Sequence, residues 1–433
     1  MNRFLACFLL IAVRAGIAAD GPVDRPIGLR EVVQLANAQN PEVQLARLDV
    51  EKSESDLRLI RTERSVRVSA ASGLGATSGI PQSIQGATPS VAQVTLRQPL
   101  LDFERPRRAH GTRALIESGE HAATATAEKA AHRAGSLYLD FELASREIER
   151  LESEVASFER IEGLTVARVE EGSEIPLALA RVRLDRARAT ERLAASVERF
   201  DLLEADLRWT LGLGEGVRLK PLPTDTDGSL GVPRSLWPTV HPSSPVHPEL
   251  AGIDARIRAA RHKAREARSA RYPSLDIVGQ YAMLARFNNY DDYFRRFERH
   301  NWQAGVALQV PLFTGRGLAE RVARARIEER ELEIQQEAKR ASIDMQARRA
   351  VVAVREAERL GGLAQQELDY ARESLDVLMA RFDEGLVTLA EVERARVVES
   401  TAWGAFVETR YRLAKARLAL AYSSGRLGAA FTD

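Results

Sequence analysis

Apolar positions along the chain follow two periods, and the switches between them mark out the elements. Leu29 to Arg64 is helical in pattern, with Leu35, Val43, Leu48 and Leu57 among its apolar positions. At Val66 the period drops to two. Val66, Val68 and Ala70 alternate with Arg67, Ser69 and Ala71, which predicts a strand. A Gly-, Ser- and Pro-rich stretch from Ser72 to Ser90 follows, and Val91 to Gln98, closed by Pro99, reads as a second strand. Farther on, Leu275, Ile277, Tyr281 and Met283 share one face, with Asp276 and Gln280 on the other. After a charged, aromatic loop from Arg286 to Asn301, Trp302, Ala304, Val306, Leu308 and Val310 face one way, and Gln303, Gly305, Ala307 and Gln309 the other. Such strands, apolar on one side and small or polar on the other, match the roughly 9–11 residues and two-residue alternation of a membrane β-strand.

Very long helices are predicted after each strand pair. From Asp102 to Glu171 the only proline is Pro106. Leu137, Phe141, Ala144, Ile148, Leu151, Val155 and Phe158 recur there at alternating spacings of four and three, a heptad seam. A second such seam is read at Ile334, Ala338, Ala341 and Met345, and later at Leu368, Ala371, Leu375, Leu378 and Phe382. That period implies left-handed supercoiling against a neighbour, and a helix of about 65 residues reaches roughly 100 Å. The long helices end at Gly172 and Gly385. Returning helices follow, with Leu177, Ala180, Leu184 and Ala187 as the expected seam of the first and Leu389, Val392 and Arg396 in the matching rows of the second.

These parts occur twice. Asn40-Pro41-Glu42-Val43 reappears as His247-Pro248-Glu249-Leu250, Gln98-Pro99-Leu100-Leu101 as Val310-Pro311-Leu312-Phe313, and Arg168-Val169-Glu170-Glu171-Gly172 as Arg381-Phe382-Asp383-Glu384-Gly385. An offset of about 210 residues is too long for a solenoid repeat; the module itself is duplicated. The expected organisation is a signal peptide at 1–19, a first repeat at 20–216 with its β-hairpin at about 66–98 and tip at 172, and a Pro-rich linker at 217–246. A second repeat spans 247–427, with its hairpin at about 274–310 and tip at 385, and a tail covers 428–433.

Composition narrows the classes. The 62 basic and 61 acidic residues balance, so nothing suggests a nucleic-acid surface. Ala, Arg, Glu and Leu dominate long stretches, as in extended helices and coiled coils. Arg3, the apolar run Phe4 to Val13 (followed by Arg14) and the small residues at Ala15 to Ala19 read as a secretory signal. Cys7 is the only cysteine. Phe4-Leu5-Ala6-Cys7 weakly resembles a lipidation box, although only six residues precede the cysteine. Once that signal is removed, disulfides, thiol catalysis and Cys-ligated metal are excluded. No later stretch has 18 consecutive apolar residues, so no transmembrane helix is expected.

The ordered, duplicated motifs resemble the TolC-like outer-membrane efflux protein family over about Leu29 to Leu427. The carriers are the Asn-Pro-Glu and His-Pro-Glu openers, the Gln-Pro-Leu and Val-Pro-Leu-Phe strand exits, and the Glu-Gly-Leu-Val-Thr-Leu tip at 384–389. The resemblance implies a mainly α fold with a transmembrane β-barrel contribution. Three chains would form a 12-stranded outer-membrane barrel over a periplasmic coiled-coil cylinder. It implies a homotrimer in outer-membrane lipid that docks an inner-membrane RND or ABC pump through a periplasmic adaptor, with cargo chosen mostly by the pump. Independently, two strand pairs cannot close a barrel alone, and an open edge in lipid leaves backbone groups unsatisfied. That argument does not select three chains over four.

On that resemblance the tips, Gly172 and Ser173 in the first copy and Gly385, Leu386, Val387, Thr388 and Leu389 in the second, are candidate adaptor contacts. Read from the residues alone, both glycines are C-caps of long helices, and Pro176 fits the first turn of the returning helix. Family members with a constricted periplasmic end carry acidic residues shortly after the second tip. Glu391 stands at one such place, while the next is Arg394, beside Glu393. Glu391 repeated around an axis would make a cation-selecting carboxylate ring; the plainer reading is a solvated helix residue. Arg394 is the expected partner of a carboxylate locking a closed state. Tyr281 and Trp302, with Tyr272, Phe287, Tyr290, Tyr293 and Phe294 nearby, are candidate interfacial aromatics.

No catalytic constellation is present, and no cofactor or metal is expected. The seven histidines are scattered without zinc-ligand spacing, and His241 and His247 are expected to be exposed in the linker. No nucleophile elbow, P-loop or dinucleotide fingerprint occurs. The reading is a passive export duct. The alternatives are a soluble periplasmic coiled-coil adaptor, which would lack the strand pairs, and a filament-like tether, which would lack the long-offset duplication.

Overall fold

The computed structural model describes residues 23–72, 90–222, 247–284, 298, 300–313, 316–425 and 427–431. The expected signal segment with Cys7, most of the Pro-rich linker with His241, and the loop aromatics Phe287, Tyr290, Tyr293 and Phe294 lie outside the described residues. In chain order the elements are β1 (Val23–Ile27), α1 (Leu29–Gln39), α2 (Pro41–Thr62), β2 (Arg67–Ala71), β3 (Ser90–Leu101), α3 (Glu104–Glu170), α4 (Pro176–Thr210) and β4 (Val217–Pro221). Then come α5 (Pro248–Ser269), β5 (Ser274–Leu284), β6 (His300–Gln309), α6 (Gly317–Asp383), α7 (Leu389–Ser423) and α8 (Leu427–Ala430). No described helix is long and apolar enough to cross a membrane.

The repeated openers have a plain physical role. Asn40 caps α2, its side-chain oxygen accepting from the amides of Glu42 at 2.9 Å and Val43 at 3.3 Å, with Pro41 in the first turn. This cap divides the helical stretch read from Leu29 to Arg64 into α1 and α2. In the second copy His247 and Pro248 take the same places at the start of α5, without a side-chain cap bond.

The chain divides into two compact units, to both of which α3 and α6 contribute residues. The first comprises Met1–Val32, Ala134–Gly231 and Gly362–Tyr411. Here β1 pairs in parallel with β4, Val23 opposite Val217 and Ile27 opposite Pro221. The sequence pattern misses this sheet: its strands are five residues each, and β4 falls inside the expected linker. Buried Glu204 of α4 accepts from the amide of Leu219 at 2.8 Å, and the Tyr138 hydroxyl donates to the Leu222 carbonyl at 2.9 Å, so both long-helix partners hold β4. Phe141 and Phe200 stack with ring centroids 4.6 Å apart.

The α3 seam is as expected at Phe141, Ala144 and Leu151, all buried. The seam expected on α4 is not. Leu177 and Leu184 are exposed, and the buried positions are Val182 and Ala189. Both rows carry apolar residues, and the chain's own partners cover the shorter one.

The second unit comprises Val33–Arg133, Val232–Gly361 and Arg412–Asp433. On α6 the expected Ile334 and Met345 are exposed. The inward row is Ile343, Ala347, Ala350 and Val354, and Ala350 and Val354 pack with Ala416 and Leu420 of α7. Its continuation in the first unit, Leu368 and Ala371, is buried as expected. The residues from 428 onward, read as a tail, begin as part of α8. Leu427 and Phe431 are fully buried, and Glu128 accepts from the amides of Leu427 at 2.8 Å and Gly428 at 2.9 Å. His247 is also buried rather than exposed, with its ring packed at Gly425.

This unit holds a four-stranded antiparallel sheet in the order β2-β3-β5-β6. The two hairpins therefore join through β3 and β5, leaving β2 and β6 as edges. Pro99 pairs opposite Asp276 beyond the end of β2, where no second neighbour needs its missing N–H.

Candidate functional site

The sheet register sorts the strands into two faces. Val94, Tyr281 and Trp302 are cross-strand partners; so are Leu96, Gly279 and Ala304, and Gln98, Ile277 and Val306. Val68 and Ala70 of β2 join this apolar face opposite Leu96 and Val94. The other face carries Ser69 opposite Thr95, Thr95 opposite Gln280, and Gln280 opposite Gln303, whose amide nitrogen donates to the Gln280 oxygen at 2.9 Å. Arg97 on that face donates its Nε to Asp276 at 3.0 Å. Every described position of β2 and β6 is exposed. Two of the aromatics singled out in the sequence thus meet as direct neighbours on the apolar face. Trp302 is 76% exposed, and the Tyr281 hydroxyl lies 2.7 Å from His300 Nδ1.

The two tips close α3 and α6 by the same backbone motif. Gly172 and Gly385 each adopt φ of 74°, a left-handed conformation that costs glycine nothing. The amide of Gly172 donates to the Val169 carbonyl and that of Ser173 to Arg168. In the second tip Gly385 donates to Phe382 and Leu386 to Arg381. These are Schellman ends, and they satisfy carbonyls the helix leaves unpaired. No heavy atom stands within 4 Å of a Cβ built on either glycine, so the glycines serve the backbone and not close packing.

The tips differ in what starts the returning helix. In the first, Ile175 occupies the N-cap with no side-chain bond, and Pro176 begins α4. In the second, Thr388 and Glu391 form a reciprocal cap. The Thr388 amide and hydroxyl donate to the Glu391 carboxylate at 2.7 and 2.9 Å, and the Glu391 amide points back to the Thr388 hydroxyl at 3.4 Å. The sequence announces this motif in Thr388-x-x-Glu391, and the expected gate carboxylate is its acid. The Thr388 amide, and then its hydroxyl, hold the Glu391 carboxyl below the ordinary glutamate range, so it stays ionised at neutral pH. Val387 and Leu389 are half-buried, and Leu386 is 70% exposed.

Arg394 is exposed on α7 and has no ion pair with a carboxylate among the described residues. The carboxylate that ties the helices is its neighbour Glu393, 2% exposed, which meets Arg160 of α3 at 3.1 Å and Arg396 at 2.9 Å. Farther along α3, buried Glu154 joins Arg150 at 2.8 Å and also Arg192 of α4, while the Arg150 side chain lies against Gly404 of α7. The spacing could have revealed Glu393: it continues the four-three row Val397, Ser400, Gly404, Val407 and Tyr411 toward the tip.

Both α4 and α6 carry a second apolar row that this chain leaves uncovered. Leu177, Leu184, Leu202 and Trp209 of α4 are exposed, as are Ile327, Ile334, Met345, Val352, Leu363, Tyr370 and Val377 of α6. Successive members of each row are 7, 11 or 18 residues apart. At 3.6 residues per turn such spacings return to within about 20° of the same direction, so each row is a straight stripe.

Residues 246–426 match the family model described as Outer membrane efflux protein. Over those residues the chain is similar to outer membrane efflux proteins. Solved structures extend the likeness to the whole fold. The Campylobacter jejuni CmeC outer membrane channel superposes with a TM-score of 0.72 at 15% identity, over 99% of this chain and 94% of that one. The outer membrane protein VceC of Vibrio cholerae gives 0.70 at 16% identity, over 92% and 96%. The Neisseria gonorrhoeae MtrE outer membrane channel, in its open state, gives 0.68 at 14%, over 92% and 88%. No curated protein matches the sequence. The efflux-protein fold accounts for the duplicated helix, hairpin and long-helix order, and for a sheet with one apolar and one polar face. Among the described residues no group of three or more His, Cys, Asp or Glu is placed to hold a metal ion.

Proposed function

We propose that this efflux protein is a passive export duct of the Gram-negative outer membrane, assembled from three chains. The observation that carries the reading is the sheet. Its strands β3, β5 and β6 are 10 to 12 residues long and β2 is five, one face is apolar, the other is polar or small, and the edge strands β2 and β6 have no second partner among the described residues. In lipid such edges leave backbone groups without partners, so the sheet must close on further copies. Three copies of four strands give a twelve-stranded barrel, lipid outside and water within. The stripes on α4 and α6 support the same assembly. They lie on different helices, as a heterologous contact that closes into a ring requires.

The tips then meet a periplasmic adaptor, which connects the duct to an inner-membrane RND or ABC pump. Exposed Ile175, Leu177 and Leu386 offer apolar contacts there. Glu391 contributes a fixed negative charge near the periplasmic mouth, with Arg394 one helical turn farther along. The Arg160–Glu393 pair holds α7 against α3 in the resting duct. Tyr281 and Trp302 sit at the edge of the lipid-facing band.

Native mass in mild detergent, followed by planar-bilayer recording, tests this reading. The expected species has three times the chain mass of 47.9 kDa, less any cleaved segment, and shows discrete conductance steps. A monomer or dimer without conductance overturns it in favour of a periplasmic adaptor or tether.

A further inference from the structure

The polar face of the sheet places two arginines side by side. Arg67 of β2 and Arg97 of β3 are direct cross-strand partners. Like charges in that position repel and destabilise the pair, so sheet stability does not account for them. One carboxylate answers them: Asp276 of β5 accepts from Arg97. Arg67 is exposed and has no ion pair among the described residues. The remaining described positions of that face are uncharged: Ser69 and Ala71, Gln93, Thr95 and Pro99, Ser274, Val278, Gln280 and Ala282, and Asn301, Gln303, Gly305, Ala307 and Gln309. The described face therefore carries one net positive charge per chain, at the level where β2 begins.

Beside this pair a cavity of about 470 Å³ opens between the sheet and the starts of α3 and β5. Arg105 and Asp102 line it as a matched pair at 3.0 Å, and Glu63 on its wall is bound to Arg108. Glu104 is the remaining carboxylate on that wall, set on α3 and not on the sheet face.

We propose that Arg67 and Arg97 bias the duct toward anionic solutes. This rests on the duct reading, in which the polar face lines the pore. Repetition over the chains turns the pair into a girdle of guanidinium groups, with Asp276 cancelling part of its charge. Low-dielectric walls focus such a field and raise the local concentration of the opposite ion. At this level of the duct small anions are favoured over cations, and anionic cargo meets an attractive step.

The test is the reversal potential of reconstituted channels across a potassium chloride gradient, for the wild-type chain and three variants. Arg67→Gln should lower the chloride-to-potassium permeability ratio by about twofold or more. Arg67→Lys should preserve it, and Asp276→Asn should raise it by freeing Arg97. Salt of about 1 M should flatten the differences, because screening there acts within about 3 Å. Channels whose ion preference is the same in Arg67→Gln and wild type overturn the inference and leave the duct standing. A wild-type chain that forms no channel overturns the duct reading, and this inference with it.

Discussion

The guanidinium of Arg160 on α3 meets the Glu393 carboxylate on α7 at 3.1 Å, and Glu393 is among the most deeply buried acids of the first unit. A buried carboxylate deprived of one charged partner is costly, whereas an exposed surface pair contributes little. Arg160→Ala should lower stability by about 1–3 kcal/mol, Arg396 still holding the acid. On the proposed duct reading it should also raise leakage of an antibiotic that the wild-type chain excludes. Arg394→Ala, at an exposed position, should leave both near wild type. Denaturation midpoints in detergent and antibiotic susceptibility measure the two effects. Leakage that follows Arg394 and ignores Arg160 would return the lock to the residue the sequence suggested.

Thr388 and Glu391 cap α7 from both sides of one turn. Thr388→Ala removes the hydroxyl and should cost about 0.5–2 kcal/mol at that helix end. The Glu391 carboxyl is held below its ordinary range in the folded chain. Its contribution is therefore complete above the unfolded value and is lost as pH falls through the lower, folded value. Protease nicking at Leu386 to Thr388 should stay constant from pH 7.5 to 5.5 and rise only below about pH 4. A rise already at pH 6 would place another group in control of the tip.

Glu128 holds the C-terminal turn by accepting two amides from the start of α8. Burial pushes its carboxyl above the ordinary glutamate range, against the pull of those two amides. The folded chain thus retains a proton that the unfolded chain has released, and stability falls as pH rises from the ordinary range through the raised value. Glu128→Gln should flatten that slope, measured as denaturation midpoints between pH 4.5 and 8. Phe431→Ala should cost about 3–5 kcal/mol by emptying a fully buried site. A Phe431→Ala chain as stable as wild type would show that residues 427–431 are dispensable.

Val306 and Ala307 are adjacent in β6 and lie on opposite faces. Val306→Arg places charge on the apolar face and, in the proposed trimeric barrel, should cost about 2–4 kcal/mol at the bilayer centre, with a matching loss of the membrane-extracted assembly. Ala307→Arg should assemble normally and change conductance instead. The reverse order of effects would mean that the two faces had been exchanged.

Much of this was legible locally. The tip glycines mark helix ends by spacing alone; the Asn40-Pro41 helix start and the Thr388-x-x-Glu391 cap carry equally local signals, which the expectation of one helix from Leu29 to Arg64 and of Glu391 as a gate acid passes over. The alternation in β5 and β6 likewise separates the two faces, because successive side chains of a strand point to opposite sides. The duplicated order of parts, and with it the efflux-protein fold, was also readable from the chain.

What tertiary structure decided was which apolar row turns inward. Both α4 and α6 carry two rows at helical spacing, and periodicity ranks them equally. Packing within the chain covers Val182 and Ala189 and the row from Ile343 to Val354, where small side chains let helices approach, and leaves Leu177, Leu184, Ile334 and Met345 outside. The β1–β4 pair, the burial of Glu393 and His247, and the docking of Phe431 were equally hidden. Each depends on groups brought together from distant parts of the sequence, and no local pattern records such a meeting.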